Sequence, residues 1–160
     1  MEEHTAVALE MVIELLNRMG MEGAVESFTK EGNICVEISG DAEGILIGKH
    51  GRTLEALQML VNRMVNKRLI ESVRVVIDVD HYRVRRANSL AKMVIRVGER
   101  AKRVGKPITI GPFNAHDRRI IHITLKEDPL LRTESQGDGA IKKVAIIPEK
   151  REGERVGLLE

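Results

Sequence analysis

The segment Gly44–Val65, GILIGKHGRTLEALQMLVNRMV, sets two glycines around Lys49-His50 and runs without a linker into an amphipathic pattern. Leu54, Leu57, Val61, Met64 and Val65 recur at helical spacing, so they mark the inner face of a helix opening directly after Gly51. Glycines at 48 and 51 remove two Cβ atoms and open backbone angles closed to other residues. Something therefore comes close to the backbone between them. A nucleotide-binding P-loop needs four residues between its first glycine and a Gly-Lys-Ser/Thr. Here Gly44 and Gly48 are separated by three, and His50 follows Lys49. A dinucleotide fingerprint fails as well, because its three-glycine spacing is absent. What stays is a Gly-x-x-Gly turn, Gly48-Lys49-His50-Gly51, whose following helix start can turn backbone N–H groups to an anion. Lys49 adds a positive charge that follows a phosphate without reading sequence.

On the amino-terminal side, Leu9, Val12, Ile13, Leu16 and Met19 predict a helix over about 5–19, capped by Gly20. GAVESFTKEGNICVEIS then predicts strands over 24–29 and 33–39, joined in a hairpin by Glu31-Gly32-Asn33. On the carboxy-terminal side, Val73, Val75, Ile77 and Val79 alternate with Arg74, Val76, Asp78 and Asp80, the pattern of a half-buried strand. A helix over 82–104 is stopped by Gly105-Lys106-Pro107, and ITI forms a short strand. Pro112-Phe113-Asn114 introduces a further helix, with Asn114 as its N-cap and Asp117 in its first turn. LRTES and KKVAIIP form a second hairpin around Gly137-Asp138-Gly139, and the tail EKREGERVGLLE is charged and frayed.

The chain has 160 residues, 42% hydrophobic, enough for one compact domain or two very small ones. Phe28, Tyr82 and Phe113 are its aromatic residues, which weighs against a single-strand binder working by aromatic stacking. A single cysteine, Cys35, rules out an internal disulfide and suits a reducing compartment, where it is expected as a buried, inert thiol. With no signal peptide and no apolar run of spanning length, the chain reads as soluble and cytoplasmic. The net charge of +2 conceals an uneven distribution: residues 1–40 hold eight acids and two bases, and residues 81–124 hold eleven bases and two acids. A basic middle of this kind fits a polyanion partner better than a merely solvated helix face.

Arg118 and His122 are four apart, so on a helix they share a face one turn from each other, with Ile120, Ile121 and Leu125 on the core side. The guanidinium disfavours a cationic imidazole, leaving a neutral His122 to offer hydrogen bonds beside a positive charge. Asp78, Asp80 and His81 suggest a cation site, yet no further ligand stands at suitable spacing and Arg83, Arg85 and Arg86 would repel a metal. Pairing of Asp78 or Asp80 with one of these arginines, or exposure to solvent, is expected instead. Neither a metal nor another cofactor is called for. Tyr82 is expected to anchor the strand–helix junction, with base stacking as an alternative.

The Gly48–Gly51 turn, in the order helix–strand–strand–turn–helix–strand, resembles a KH domain of type II, whose Gly-x-x-Gly loop clamps about four nucleotides of backbone. The resemblance implies an aliphatic floor beside the loop, supplied by Ile45, Leu46, Ile47 and Leu54. Arg118-x-x-x-His122, preceded by Phe113-Asn114-Ala115-His116-Asp117 and followed by TESQGDG, resembles the R-three-H domain, which is associated with single-stranded nucleic acids. The pair, together with LLNRMG, IGKHGRTLEALQMLVN and IDVDHYRVRRANSLAKMV, resembles the Jag (KhpB, EloR) family of bacterial RNA-binding proteins over about residues 5–148. Many members of that family carry an extra N-terminal domain, whereas this sequence starts directly at the KH helix.

The expected architecture is α+β: a type II KH domain over 1–80, a long basic helix with an R-three-H domain over 81–148, and a charged tail over 149–160. The expected function is non-enzymatic binding of single-stranded RNA. Gly48, Lys49, His50, Gly51 and Arg52 hold one stretch and Arg118 and His122 a second, with Arg83, Arg86, Lys92, Arg96, Arg100 and Arg103 as a basic path. The resemblance implies post-transcriptional regulation linked to cell elongation and division, and a small single-KH protein as partner. A homodimer is a further expectation. Single-stranded DNA is the alternative ligand, since neither loop nor charge distinguishes the two sugars. A protein-interaction adaptor is a third reading, opposed by Lys49 and the basic middle. A nuclease using His122 as base lacks a nucleophile, a metal cluster or a carboxylate pair.

Overall fold

The structure, a computed structural model, describes residues 2–41 and 44–149. They divide into two compact units, residues 2–84 and 85–149, each with its own core.

The first unit contains α1 (Glu2–Arg18), β1 (Ala24–Lys30), β2 (Asn33–Ser39), α2 (Arg52–Arg68) and β3 (Val75–Val79). The sheet order is β1-β2-β3, with β1 antiparallel and β3 parallel to β2. Ile34, Val36 and Ile38 of β2 are buried with Val75, Ile77 and Val79 of β3 and Leu54, Leu57, Val61 and Val65 of α2; of the inner positions expected on β3 and α2, Val73 and Met64 are only partly buried. Two further expectations shift. On α1 the buried stripe is Ala8, Met11, Val12 and Leu16, while Ile13 and Met19 are exposed. Val12 and Leu16 are common to the expected and the observed stripe, which is turned toward Ala8 and Met11. Cys35 lies on the opposite, solvent side of the sheet and is half-buried, not buried as expected.

The outer edge of β3 is covered by side-chain amides of α2. Asn62 donates to Val75 O at 2.7 Å and accepts from Val75 N at 2.9 Å. Asn66 makes the same pair of bonds with Val73, at 2.8 and 2.7 Å. Gln58 accepts from Ile77 N at 3.2 Å. Four helical residues rise about 6 Å, close to the roughly 6.6 Å of two strand residues. Amides at 58, 62 and 66 therefore step in register with 77, 75 and 73.

α3 (Tyr82–Val104) begins in the first unit and continues into the second, which adds β4 (Ile108–Phe113), α4 (Ala115–Leu125), β5 (Leu131–Gln136) and β6 (Lys142–Pro148). Its sheet order is β4-β6-β5, antiparallel throughout. Leu90, Val94 and Ala101 of α3, Ile121 and Leu125 of α4, and Val144 and Ile146 of β6 form its core. β4 runs beyond the expected ITI: after a register shift, Phe113 pairs with Lys142. No helix among the described residues is long and apolar enough to cross a membrane. The expected charged tail, apart from Glu149, lies outside the described residues.

Candidate nucleic-acid interface

The glycine turn is held from below by carboxylates. Asp41, 8% exposed, accepts from the N–H groups of Ile45, Leu46 and Ile47 at 2.9, 3.0 and 3.2 Å. Asp80 in turn accepts from the N–H groups of Gly40 and Asp41, both at 3.1 Å. Gly48 N donates to Gly44 O at 2.8 Å and closes the turn that enters the loop. Gly48 (φ 67°, ψ −174°) occupies a region effectively confined to glycine, and a Cβ there would strike the Thr53 side chain. Gly51 (φ 82°) is left-handed, and a Cβ there would lie 2.8 Å from Cε1 of Tyr82. His50, at φ 57° and ψ 28°, is left-handed without being glycine. The turn therefore lifts Lys49 and His50, both exposed, away from the body of the unit, with exposed Arg52 beside them at the start of α2.

Tyr82 accordingly packs under the loop, in line with an anchor at the strand–helix junction. Of the expected aliphatic floor, Leu46 and Leu54 are buried in the core, Ile47 is half-buried and Ile45 is 51% exposed. The accessible apolar surface is thus carried mainly by Ile45. Arg83 is turned inward: Nη2 donates to Gln58 Oε1 at 2.8 Å and to Ile77 O at 3.1 Å, and Nε to Ile77 O at 3.2 Å. It ties the first turn of α3 to α2 and β3. Asp78 accepts from the backbone N–H of Arg83 at 3.3 Å. His81 Nδ1 lies 3.4 Å from Glu37, and no group of three metal-ligating side chains occurs among the described residues.

In the second unit, Asn114 caps α4 as predicted, accepting from Asp117 N at 2.8 Å. The Asp117 carboxylate is buried and accepts from Arg86 Nη2 at 2.6 Å and Nε at 3.2 Å. Arg86, with a side chain 20% exposed, thus holds α3 to α4. Arg118 donates from Nη1 to Phe113 O at 3.1 Å and to Ala140 O at 2.9 Å, fastening the β5–β6 turn to the start of α4. Both bonds come from Nη1, so the Nε/Nη2 edge, the fork that matches a phosphate, is not used by either. One turn on, His122 meets Thr133 Oγ1 through Nδ1 at 2.6 Å and Ser135 Oγ through Nε2 at 3.0 Å. Burial, and secondarily the charge of Arg118, lowers its pKa from the ordinary 6.5. The neutral ring donates through one nitrogen and accepts through the other, so the two hydroxyls hold opposite roles. Arg118 and His122 do share a face, directed at β5 and its turn. Along α3, Lys92, Arg96, Arg100 and Arg103 are exposed.

Residues 6–77 match the family model described as the KH domain of KhpA/KhpB, and residues 88–148 match that of the R-three-H domain. The chain belongs to the KhpB family. The KhpB proteins it resembles are each named RNA-binding protein KhpB. That of Clostridium symbiosum is 38% identical over 92% of this chain and 65% of its own length. That of Lactiplantibacillus plantarum is 35% identical over 68% of this chain and 34% of its own. That of Bacillus subtilis is 31% identical over 71% and 55%. The chain thus spans between about a third and two thirds of the length of these relatives. Asp41, Gln58, Thr133 and Ser135 support the two candidate sites and are the residues that sequence reasoning missed. Asp41 gave no cap signal, because it accepts from N–H groups four to six residues on, beyond the reach of an N-cap. Thr133 and Ser135 alternate on one strand face, but only the fold brings that face to His122.

Proposed function

We propose that the chain is a non-enzymatic binder of single-stranded RNA, with one site at Gly48–Arg52 and another at Arg118 and His122. The observation that carries this is the loop itself. Gly48 and Gly51 take positive φ freely, His50 takes it at the cost to be expected of a side chain that is not glycine, and together they present Lys49 and His50 to solvent. Asp41 and Tyr82 support that conformation from inside, so the loop meets a phosphate already shaped for it. The names of the KhpB relatives favour RNA among the polyanions. Arg118 contributes a phosphate-binding fork, while the exposed cations of α3 add a sequence-independent attraction. Arg83 and Arg86 serve the reading indirectly, by holding α2 and α4 in position.

A fluorescence-anisotropy titration with random-sequence RNA and DNA strands across a salt series tests this. Tighter binding of RNA is expected, with log K falling against log salt at a slope of about −2 to −3 if three or four phosphates are neutralised. Lys49→Asp with His50→Asp, and Arg118→Ala with His122→Ala, should each weaken binding while circular dichroism stays native. Equal affinity for DNA favours the single-stranded DNA reading, and no binding of either strand at low salt overturns both. A small single-KH protein as partner and a link to cell elongation and division are the finer proposals. Co-purification and cell length in a strain lacking the gene check them.

A further inference from the structure

We propose that β1 pairs antiparallel with β1 of a second copy of this chain, centred on Phe28, to make one continuous six-stranded sheet. The two edges of the first sheet differ in kind. β3 is sealed by Gln58, Asn62 and Asn66. Among the described residues, β1 has β2 as its one neighbour in the sheet. Ile34 donates to Arg74 O, so Ile34, Val36 and Ile38 turn their backbone groups to β3, while Asn33, Cys35 and Glu37 turn theirs to β1. Their partners Lys30, Phe28 and Glu26 face back, which leaves the N–H and C=O groups of Ser27 and Thr29 directed away from the sheet. Such an edge is a template for another strand.

The side chains indicate which strand. On the outer face Glu26, Phe28 and Lys30 are all exposed, with Phe28, one of the three aromatics, 49% exposed. A two-fold axis at Phe28 sets Phe28 opposite Phe28 of the second copy, and Glu26 opposite its Lys30, twice over. Ser27 and Thr29 then become the hydrogen-bonded pairs, and the three outer positions become the closer, non-hydrogen-bonded pairs, where side chains meet. Centring on Ser27 instead sets Glu26 against Phe28, and centring on Thr29 sets Phe28 against Lys30. A lone lysine on an edge commonly repels further strands. A glutamate and a lysine symmetric about an exposed phenylalanine complement a copy of themselves. Phe28 is also in line with Cys35 and Val76 across the sheet, so the pairing prolongs an apolar row.

The contact is small, so association should be weak and concentration-dependent. Sedimentation equilibrium without nucleic acid, over a series into the high micromolar range, should give a monomer–dimer equilibrium. Each substitution acts twice across the axis, so Glu26→Lys alone and Lys30→Glu alone should each weaken dimerisation about tenfold. The double reversal should restore it. In a Cys35→Ser background, Phe28→Cys should oxidise to a disulfide-linked dimer, because the axis brings the two thiols together. A monomer at every concentration, a dimer indifferent to both single reversals, or a double reversal that restores nothing overturns the proposal. Since no RNA is present, neither result depends on the RNA-binding reading.

Discussion

Gly51 and His122 show how single residues set the two candidate sites. Gly44 and Gly51 both have positive φ, but a Cβ on Gly44 meets nothing within 4 Å whereas one on Gly51 meets the Tyr82 ring. Gly44→Ala should therefore cost about 1 kcal/mol, the conformational penalty alone, and Gly51→Ala about 2–3 kcal/mol, with steric strain added. Urea midpoints of the two variants measure the difference. His122 makes a prediction in pH. Its folded pKa lies below 6.5, for burial first and Arg118 second. Above about pH 6.5 both folded and unfolded chains hold it neutral, and its contribution is fully present. As pH falls through that value the unfolded chain takes the proton first, so stability drops until the folded pKa is passed. Comparing unfolding at pH about 8 and about 5.5 in wild type and His122→Asn isolates this component. The same residue shows what sequence could tell. A neutral histidine beside Arg118 was legible from their spacing, but the partners Thr133 and Ser135 were not. Arg83 and Arg86 read as displayed charges, because Ile77 O and Asp117 become their partners only in the tertiary structure.

At the scale of elements, helices and strands followed from periodicity and caps, and on α1 the departure lay at the margins of a stripe whose centre, Val12 and Leu16, was as expected. The amide edge of β3 was invisible for another reason. Gln58, Asn62 and Asn66 look like ordinary solvent-facing positions of an amphipathic helix, and their partners lie between 7 and 19 residues further along the chain. Asn62→Ala leaves the N–H and C=O groups of Val75 without their side-chain partner and should destabilise the first unit by about 1–3 kcal/mol. Asn62→Asp keeps an acceptor for Val75 N but sets a carboxylate oxygen against Val75 O, so it should recover at most part of the loss. Chemical denaturation followed by far-ultraviolet circular dichroism reads both.

For the whole molecule, two separate cores predict two separable unfolding events. Calorimetry should resolve two transitions, with Asn62→Ala lowering one of them and leaving the other in place; a single transition moving as a unit would show that the cores are coupled. The sheet edges carry a further meaning in the language of polymerisation. A building block with two reactive ends grows into a chain, and one with a single reactive end stops at a pair. In the first sheet the three amides of α2 act as a built-in chain stopper on one side. Growth through β1 is therefore terminated after one step, and the exposed Phe28 edge can persist in the fold without seeding a fibre.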